Sequence, residues 1–235
     1  MKRITIEELA KIVRQKYNGD AIIKFFNSEE HAIGFQKGDV CLGTFEYFRQ
    51  NFKGEGRSGE TDGIYTSDFI VGEPFDTPIG TVNIDLLDKR GVSGHASFIL
   101  TGLLFCSFHF VEGDQIFDDL VLSKKNLGNY VAVITNKDIL GHAFSKLCYK
   151  NTITKGIDLK PKILDGDSIF CSDVEYTDTR NGSGFQKEKE YAYQHELRFC
   201  FKIEGKDAPN IYGSIAAQFI FSTYPIQCEL YELTE

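Results

Sequence analysis

The sequence predicts one α+β domain over residues 1–235, in which antiparallel strands outnumber helices. Three observations lead to this fold class. One clear amphipathic helix opens the chain, and many short segments rich in β-branched and aromatic residues follow it. No repeat, low-complexity tract or Pro/Ser-rich linker divides the sequence, so we expect a single domain.

The first helix is predicted over residues 5–18. Thr5 and Glu8 have the spacing of a capping box, in which each side chain bonds the other residue's backbone N–H. An apolar stripe at helical spacing follows, and Asn18-Gly19 ends it. This segment is expected to cap the domain.

Most of the remaining chain is predicted to form strands. The strand segments are AIIKFF, residues 40–42, IYTSDFIV, PIGTVNIDLL, HASFILTGLLFCSFHF, YVAVITN, KLCYKNTI, SIFCSDVEY, YAYQHELRFCFKI and SIAAQFIFS. Two further helices are predicted at SEEHAIGFQKG and KDILGHAFSKL. The polar stretches at about 50–63 and 178–188 are predicted to be mobile loops of functional importance.

The charge pattern argues against broad electrostatic adhesion to nucleic acid or to anionic membranes. Twenty-six basic and 34 acidic residues give a net charge of −8. This net charge does not exclude a local basic cleft around Arg49, Lys53 and Arg57. No apolar run approaches the roughly 18 residues of a membrane helix. Acidic residues interrupt the N-terminus where a signal peptide would be apolar. We expect a soluble cytoplasmic protein without membrane contact.

Neither the cysteines nor the acidic residues predict a metal site. Six single cysteines lie mostly in apolar runs and show no C-x-x-C spacing, which is typical of reduced, buried thiols. Asp165, Asp167 and Asp173 lack the alternating ligand spacing of a calcium loop. We therefore expect no metal cofactor.

The stretch YAYQHELRFCF, residues 191–201, holds the candidate catalytic residues. Strand alternation would place Gln194 and Glu196 on one face, about 6.5 to 7 Å apart. A buried glutamate needs a partner, and Arg198 on the same face could supply it. The alternative is an ordinary ladder of charged side chains on a solvated face.

This Q-x-E pattern resembles the catalytic strand of ADP-ribosyltransferases. The resemblance implies that Glu196 hydrogen-bonds the nicotinamide ribose of NAD and favours loss of nicotinamide. It also implies that Gln194, two residues earlier, helps to place the acceptor. A fixed carboxylate suits this chemistry because cleavage of the N-glycosidic bond builds an oxocarbenium-like cation.

The stretch GTFEYFRQ, residues 43–50, is similar to the aromatic-plus-arginine segment of bacterial toxins in the same family. By that likeness Tyr47 or Phe48 stacks on nicotinamide and Arg49 binds the pyrophosphate, as a bidentate guanidinium suits. Arg57, in the glycine-rich loop that follows, is a further candidate for cofactor binding. The alternative is that the two rings are core residues and Arg49 is a surface charge.

Several segments follow one another along the chain in an order similar to that of a group of bacterial proteins encoded beside phage-defence genes. These segments are KFFN, a polar loop, FCS, YVAVITN and the E-x-R strand. This likeness adds Phe26 and Ser107 to the cofactor-binding candidates. It implies two packed sheets of mostly antiparallel strands, and NAD consumed as a substrate. The implied role is a toxin or anti-phage effector that modifies a protein, an RNA base or a DNA base and has an antitoxin protein as a partner.

One departure from the family pattern concerns the NAD site. The family has an arginine or histidine on the first strand of that site, whereas this chain has Lys24, Phe25 and Phe26 there. Two other functions stay open: a metal-dependent nuclease effector, and a non-catalytic antitoxin or binding module. NAD consumption separates the transferase from both.

Overall fold

A computed structural model describes residues 1–17, 20–51, 64–71, 73–77, 80–83, 93–99, 103–112, 116–163, 169–178, 185–204 and 216–235. The helices are α1 (Ile6–Lys16), α2 (Glu29–Gln36), α3 (Phe45–Asn51), α4 (Ile116–Leu127), α5 (Lys137–Phe144) and a 3-10 helix (Lys189–Gln194). The strands are β1 (Lys2–Ile4), β2 (Asp20–Phe26), β3 (Asp39–Gly43), β4 (Ile64–Ile70), β5 (Pro74–Thr77), β6 (Gly80–Asn83), β7 (Ser93–Ile99), β8 (Leu103–Glu112), β9 (Tyr130–Ile134), β10 (Cys148–Thr152), β11 (Lys162–Ile163), β12 (Ile169–Asp173), β13 (Glu175–Tyr176), β14 (Gln186–Lys187), β15 (Glu196–Glu204), β16 (Gln218–Ser222) and β17 (Glu229–Leu233).

The strands confirm a mixed fold with mostly antiparallel pairing and few helices. Eleven strands form one hydrogen-bonded network in the order β1-β17-β9-β2-β8-β3-β16-β10, with β15 on β8, and β11 and β12 on β15. Three two-stranded pairs complete the described sheets. Among the described pairs, only β1·β17 and β13·β14 are parallel.

The predicted N-terminal helix is confirmed, and its capping box forms. The Glu8 backbone N–H donates to Thr5 Oγ1 at 3.2 Å, and the Thr5 N–H donates to Glu8 Oε2 at 2.9 Å. Helix α2 ends before Gly38, whose φ of 99° favours glycine. A Cβ on Gly38 would lie 2.6 Å from the Thr223 carbonyl oxygen, so this close approach also excludes a side chain.

Two apolar cores lie on opposite faces of the central strands β2 and β9. Ile22 and Ile134 belong to the larger core, which α2, α5, β3, β15 and β16 complete. Ile23 and Val133 belong to the smaller core, which β1, α1, α4 and β17 complete. Burial on both faces explains why these two strands have almost uninterrupted apolar sequences.

Three parts of the fold differ from the sequence prediction. Helix α4 was not predicted, because its inward-facing stripe, the buried Leu120 and the partly buried Leu127, is interrupted by the buried polar Ser123. The single strand expected in HASFILTGLLFCSFHF is two strands, β7 and β8. Residues 191–194 are helical rather than extended. No helix among the described residues is long and apolar enough to cross a membrane.

The two predicted loops lie partly outside the described residues. Positions 50 and 51 belong to α3, and the remainder of the first loop, 52–63, is outside the described ranges. In the second loop, residues 179–184 are outside, whereas 186 and 187 form β14.

Candidate functional site

Six polar or charged residues are buried in the described part of the chain, and four of them meet in one cluster. These four are Lys187, Gln194, Glu196 and Arg198, which we call the ionic cluster. Burying ionised groups costs free energy, and a buried ion pair seldom improves stability over apolar packing. The ionic cluster is therefore our candidate functional site.

A backbone turn at His195 shapes this site. His195 has φ 40° and ψ 53°, the left-handed conformation, and it ends the 3-10 helix directly before β15 begins at Glu196. The predicted continuous strand from Tyr191 to Phe201 is therefore wrong for its first five residues. Alternation resumes at Glu196, with Arg198 on the same face and Leu197 in the larger core.

Gln194 and Glu196 still face one partner, although they are not on one strand. Lys187 Nζ donates to Gln194 Oε1 at 2.7 Å and to Glu196 Oε2 at 3.2 Å. Arg198 Nε donates to the other carboxylate oxygen, Oε1, at 2.7 Å. The carboxylate is thus held on both oxygens by two cations.

The burial of the cluster excludes one of the two sequence interpretations. Glu196 is 5% exposed and Arg198 is 0% exposed. The predicted Glu196–Arg198 pair is confirmed, and the alternative of a solvated face is wrong. Removing one member of such a pair leaves an uncompensated buried charge, which typically costs about 3 to 5 kcal/mol.

Lys187 is the member of the cluster that the sequence did not reveal. It lies in the alternating run Q-K-E-K-E, which is typical of a solvated loop. Strand β14 carries it and pairs with β13 in the register Tyr176–Lys187. Its ammonium also lies 4.8 Å from the centroid of the Tyr191 ring. Burial, and then a hydrogen bond with Glu190, raise the pKa of Tyr191 to about 12.

Neighbouring polar groups fix the start of β15. The Glu196 backbone N–H donates to the Tyr176 phenol at 2.8 Å. Gln194 Nε2 donates to the Tyr193 phenol oxygen at 3.2 Å, and Asn126 Nδ2 of α4 donates to the same oxygen at 2.8 Å. These contacts restrict the rotamers on which the position of the Glu196 carboxylate depends.

A second link ties α4 to the turn. His195 Nε2 lies 2.8 Å from Asp119 Oδ2 of α4. This contact accompanies the left-handed backbone at His195, a conformation that ordinarily costs free energy for a residue with a Cβ. Helix α4 therefore supports both the turn and the tyrosine next to Gln194.

The aromatic segment on α3 meets the same face of β15. The Phe45 ring lies 5.6 Å from Arg198 Cζ and packs with Cys200 in a small core. Phe48 packs against this core, and a Cβ on Gly43 would lie 2.4 Å from the Phe48 ring. The glycine thus lets the first turn of α3 pack closely on β3. Two segments about 150 residues apart in sequence are brought into contact.

The predicted cofactor residues Tyr47 and Arg49 lie on this helix. Tyr47 packs edge-on against Phe48 with a centroid separation of 5.4 Å. Arg49 has a side chain only 8% exposed and donates to Glu46 Oε2 at 2.5 Å, so it is not a surface charge. Burial opposes ionisation of Glu46, but the hydrogen bonds from Arg49 and Gln50 outweigh it and lower the pKa of Glu46.

Of the other predicted cofactor residues, the β8–β15 pairing brings Ser107 next to the cluster, whereas no described contact links Phe26 to it. Phe26 packs against Phe35, with ring centroids 5.3 Å apart, at the edge of the larger core. Ser107 lies in β8 opposite Arg198 in the pairing register. Arg57 lies outside the described residues.

This arrangement could orient a carboxylate and an amide toward one ligand. Among the described residues, no three His, Cys, Asp or Glu side chains form a group suited to a metal ion. The chain matches no protein-family model and no curated protein, and its fold matches no solved structure.

Proposed function

We propose that this chain is an NAD-dependent ADP-ribosyltransferase that transfers ADP-ribose to a macromolecule. Glu196 is the catalytic carboxylate, Gln194 orients the acceptor, and Arg49 with Tyr47 binds the pyrophosphate and nicotinamide. The proposal includes the family's two-sheet transferase architecture and a role as a toxin or anti-phage effector. A protein, an RNA base and a DNA base are the candidate acceptors.

One observation supports this proposal above the others. The Phe45 ring contacts Arg198, which in turn holds Glu196, so the aromatic-plus-arginine segment and the Q-x-E segment meet. These are the two segments in which the sequence resembles the transferase family. Their meeting is a requirement of the proposal, since one NAD molecule has to contact both.

The chemistry needs a carboxylate whose position does not change during the reaction. The bond between ribose C1′ and the nicotinamide nitrogen breaks, and its electron pair leaves with nicotinamide. The ribose then carries positive charge, which the Glu196 carboxylate stabilises from a fixed position. A nucleophilic atom of the acceptor bonds to C1′ and gives up a proton. Lys187 and Arg198 would position Glu196 for this step.

The proposal is tested by incubating the chain with NAD labelled in its adenylate half, in separate pools of protein, RNA and DNA. We expect label in one pool and free nicotinamide in proportion to it. Glu196→Gln should abolish transfer while the folded structure, followed by circular dichroism, is retained. Glu30→Gln, a change at an exposed glutamate of α2, is the matched control. Unchanged NAD turnover in the Glu196 variant would remove this residue from the mechanism.

The same geometry favours a second candidate, a non-catalytic binding module. Both oxygens of Glu196 are already in ion pairs and the side chain is almost fully buried. A substrate would therefore have to replace the Lys187 contact before the carboxylate could act. No NAD consumption and no growth arrest on expression would favour this candidate. Repeating the assay with EDTA and without NAD tests the nuclease alternative.

A further inference from the structure

Helix α4 presents three different surfaces along its 12 residues. Leu120 and Ser123 are buried, and Asp119 with Asn126 contacts the 3-10 helix and the turn after it. The remaining surface is open to solvent. It consists of Phe117, Asp118, Val121, Leu122 and Lys125, which we call the open face.

The open face is unusually apolar for an exposed helix surface. Phe117, Val121 and Leu122 are 36%, 40% and 43% exposed. They are three of the eight large hydrophobic residues that are exposed in the described part of the chain. Single exposed apolar residues are common, but a contiguous group on one helix face is typical of an interaction surface.

The charges on the open face make this surface self-complementary under a two-fold rotation. Asp118 and Lys125 lie at equal distances in sequence from the midpoint between Val121 and Leu122. When two copies of α4 cross antiparallel about a two-fold axis at that midpoint, Asp118 of each copy faces Lys125 of the other. Val121 and Leu122 then meet at the centre. A face with equal charges at both ends would not have this property.

We propose that a second copy of this chain docks on the open face, so that the protein forms a two-fold symmetric dimer through antiparallel α4 helices. The apolar centre supplies the burial, and the two Asp118–Lys125 pairs set the register. The antiparallel arrangement also places the positive end of each helix dipole beside the negative end of the other. Neither Asp118 nor Lys125 forms an ion pair with another described residue, so both charges remain for the partner copy.

The dimer would be weak. It would also stabilise the ionic cluster indirectly, through the contacts of α4 with Tyr193 and His195. One helix pair buries less than the standard interface of about 800 Å² per partner, so we expect a dissociation constant in the micromolar range. The opposite side of α4 holds His195 through Asp119 and Tyr193 through Asn126. Dimerisation would therefore fix the helix that supports the start of β15. The proposal does not depend on the chemistry of that site.

The test is sedimentation equilibrium of the full chain across roughly a hundredfold concentration range. We expect the wild type to dimerise and Leu122→Glu to weaken the dimer by about a hundredfold, because the change buries a carboxylate at the axis. Phe170→Glu, a change at an exposed ring on β12, is the matched control and should leave the dimer intact. Thermal unfolding verifies that each variant is folded.

Charge reversal tests the register directly. Asp118→Lys and Lys125→Asp should each weaken the dimer by about tenfold, and the two changes together should restore it to within about threefold of the wild type. A wild type that stays monomeric at every concentration overturns the proposal. So does a dimer that is unaffected by Leu122→Glu. A double variant as weak as the single variants would contradict the antiparallel register.

Discussion

The two faces of β15 have opposite chemistry, although their residues alternate along one strand. On one face, Phe199 and Phe201 pack against Phe144 of α5, with ring centroids 5.1 and 5.4 Å apart. On the other face, Glu196 and Arg198 form buried ion pairs. Both faces are buried to a similar degree, so solvent does not explain the difference between them.

The difference indicates what each face contributes. The apolar face gains free energy from burial and from aromatic packing. On the ionic face, three charged groups lose their contact with water. Their mutual attraction does little more than offset the free energy of that desolvation. A strand that served stability alone would be better built from apolar residues on both faces. The charges on the second face therefore favour a role in binding or chemistry.

The largest expected effect comes from removing the carboxylate at the centre of the ionic cluster. Glu196→Ala should lower the free energy of unfolding by about 3 to 5 kcal/mol, because Lys187 and Arg198 would be left buried without their counter-charge. Urea unfolding measures this change. A loss below about 1 kcal/mol would mean that water reaches the two cations and that the cluster is not closed.

A triple variant separates charge from packing. Lys187→Met, Glu196→Leu and Arg198→Met together leave no charge in the cluster and keep most of its volume. We expect this variant to be at least about 2 kcal/mol more stable than Glu196→Ala, since apolar residues replace buried ion pairs at little cost. Under the proposed function, it should also have no transferase activity. A triple variant less stable than Glu196→Ala would show that the ion pairs contribute strongly to stability.

The apolar face should respond to truncation in a different way. Phe199→Ala should cost about 3 to 4 kcal/mol, since it removes a buried ring and leaves a cavity beside Phe144. This loss should not vary with salt concentration, because the removed contacts involve no charged group. Denaturant unfolding at low and high salt checks both statements. A salt-dependent loss in this variant would contradict the contrast between the two faces.

Comparison of these regions also indicates what the sequence could predict. The pairing of Glu196 with Arg198, the apolar face from Leu197 onward and the capping box at Thr5 follow from local periodicity and from the cost of unpaired buried charge. The left-handed turn at His195 was not predicted, because the residue that contacts it, Asp119, is distant in sequence and local periodicity gives no sign of the turn. Lys187 was also missed, because its partners Gln194 and Glu196 come near it only when the intervening residues Lys189–Gln194 form the 3-10 helix, which was not predicted.

A smaller effect on stability is expected at high pH from Tyr191, whose ring lies against the Lys187 ammonium. The pKa of Tyr191 is raised from 10.0 to about 12, so the folded state favours the neutral phenol. Stability from this group is present below pH 10 and is lost as the pH rises toward 12. Relative to Tyr191→Phe, the wild type should lose about 1 kcal/mol over that interval, measured by urea unfolding at each pH. A constant difference between the two proteins would contradict the raised pKa.

The smallest effect is expected on α3, which carries the aromatic segment to the ionic face. The pKa of Glu46 is lowered because hydrogen bonds from Arg49 and Gln50 outweigh the effect of burial. A lowered pKa gives stability that is present above the unfolded pKa of about 4.5 and is lost as the pH falls through the folded value. Glu46→Gln should therefore cost less than about 1 kcal/mol near pH 7, and the difference from the wild type should close in acid. Thermal unfolding between pH 3 and 7, with the exposed Glu30→Gln as the matched control, measures this difference. A gap that widens toward low pH would mean that Arg49 does not hold Glu46 in its ionised form, and the pairing of these two residues on α3 would have to be revised.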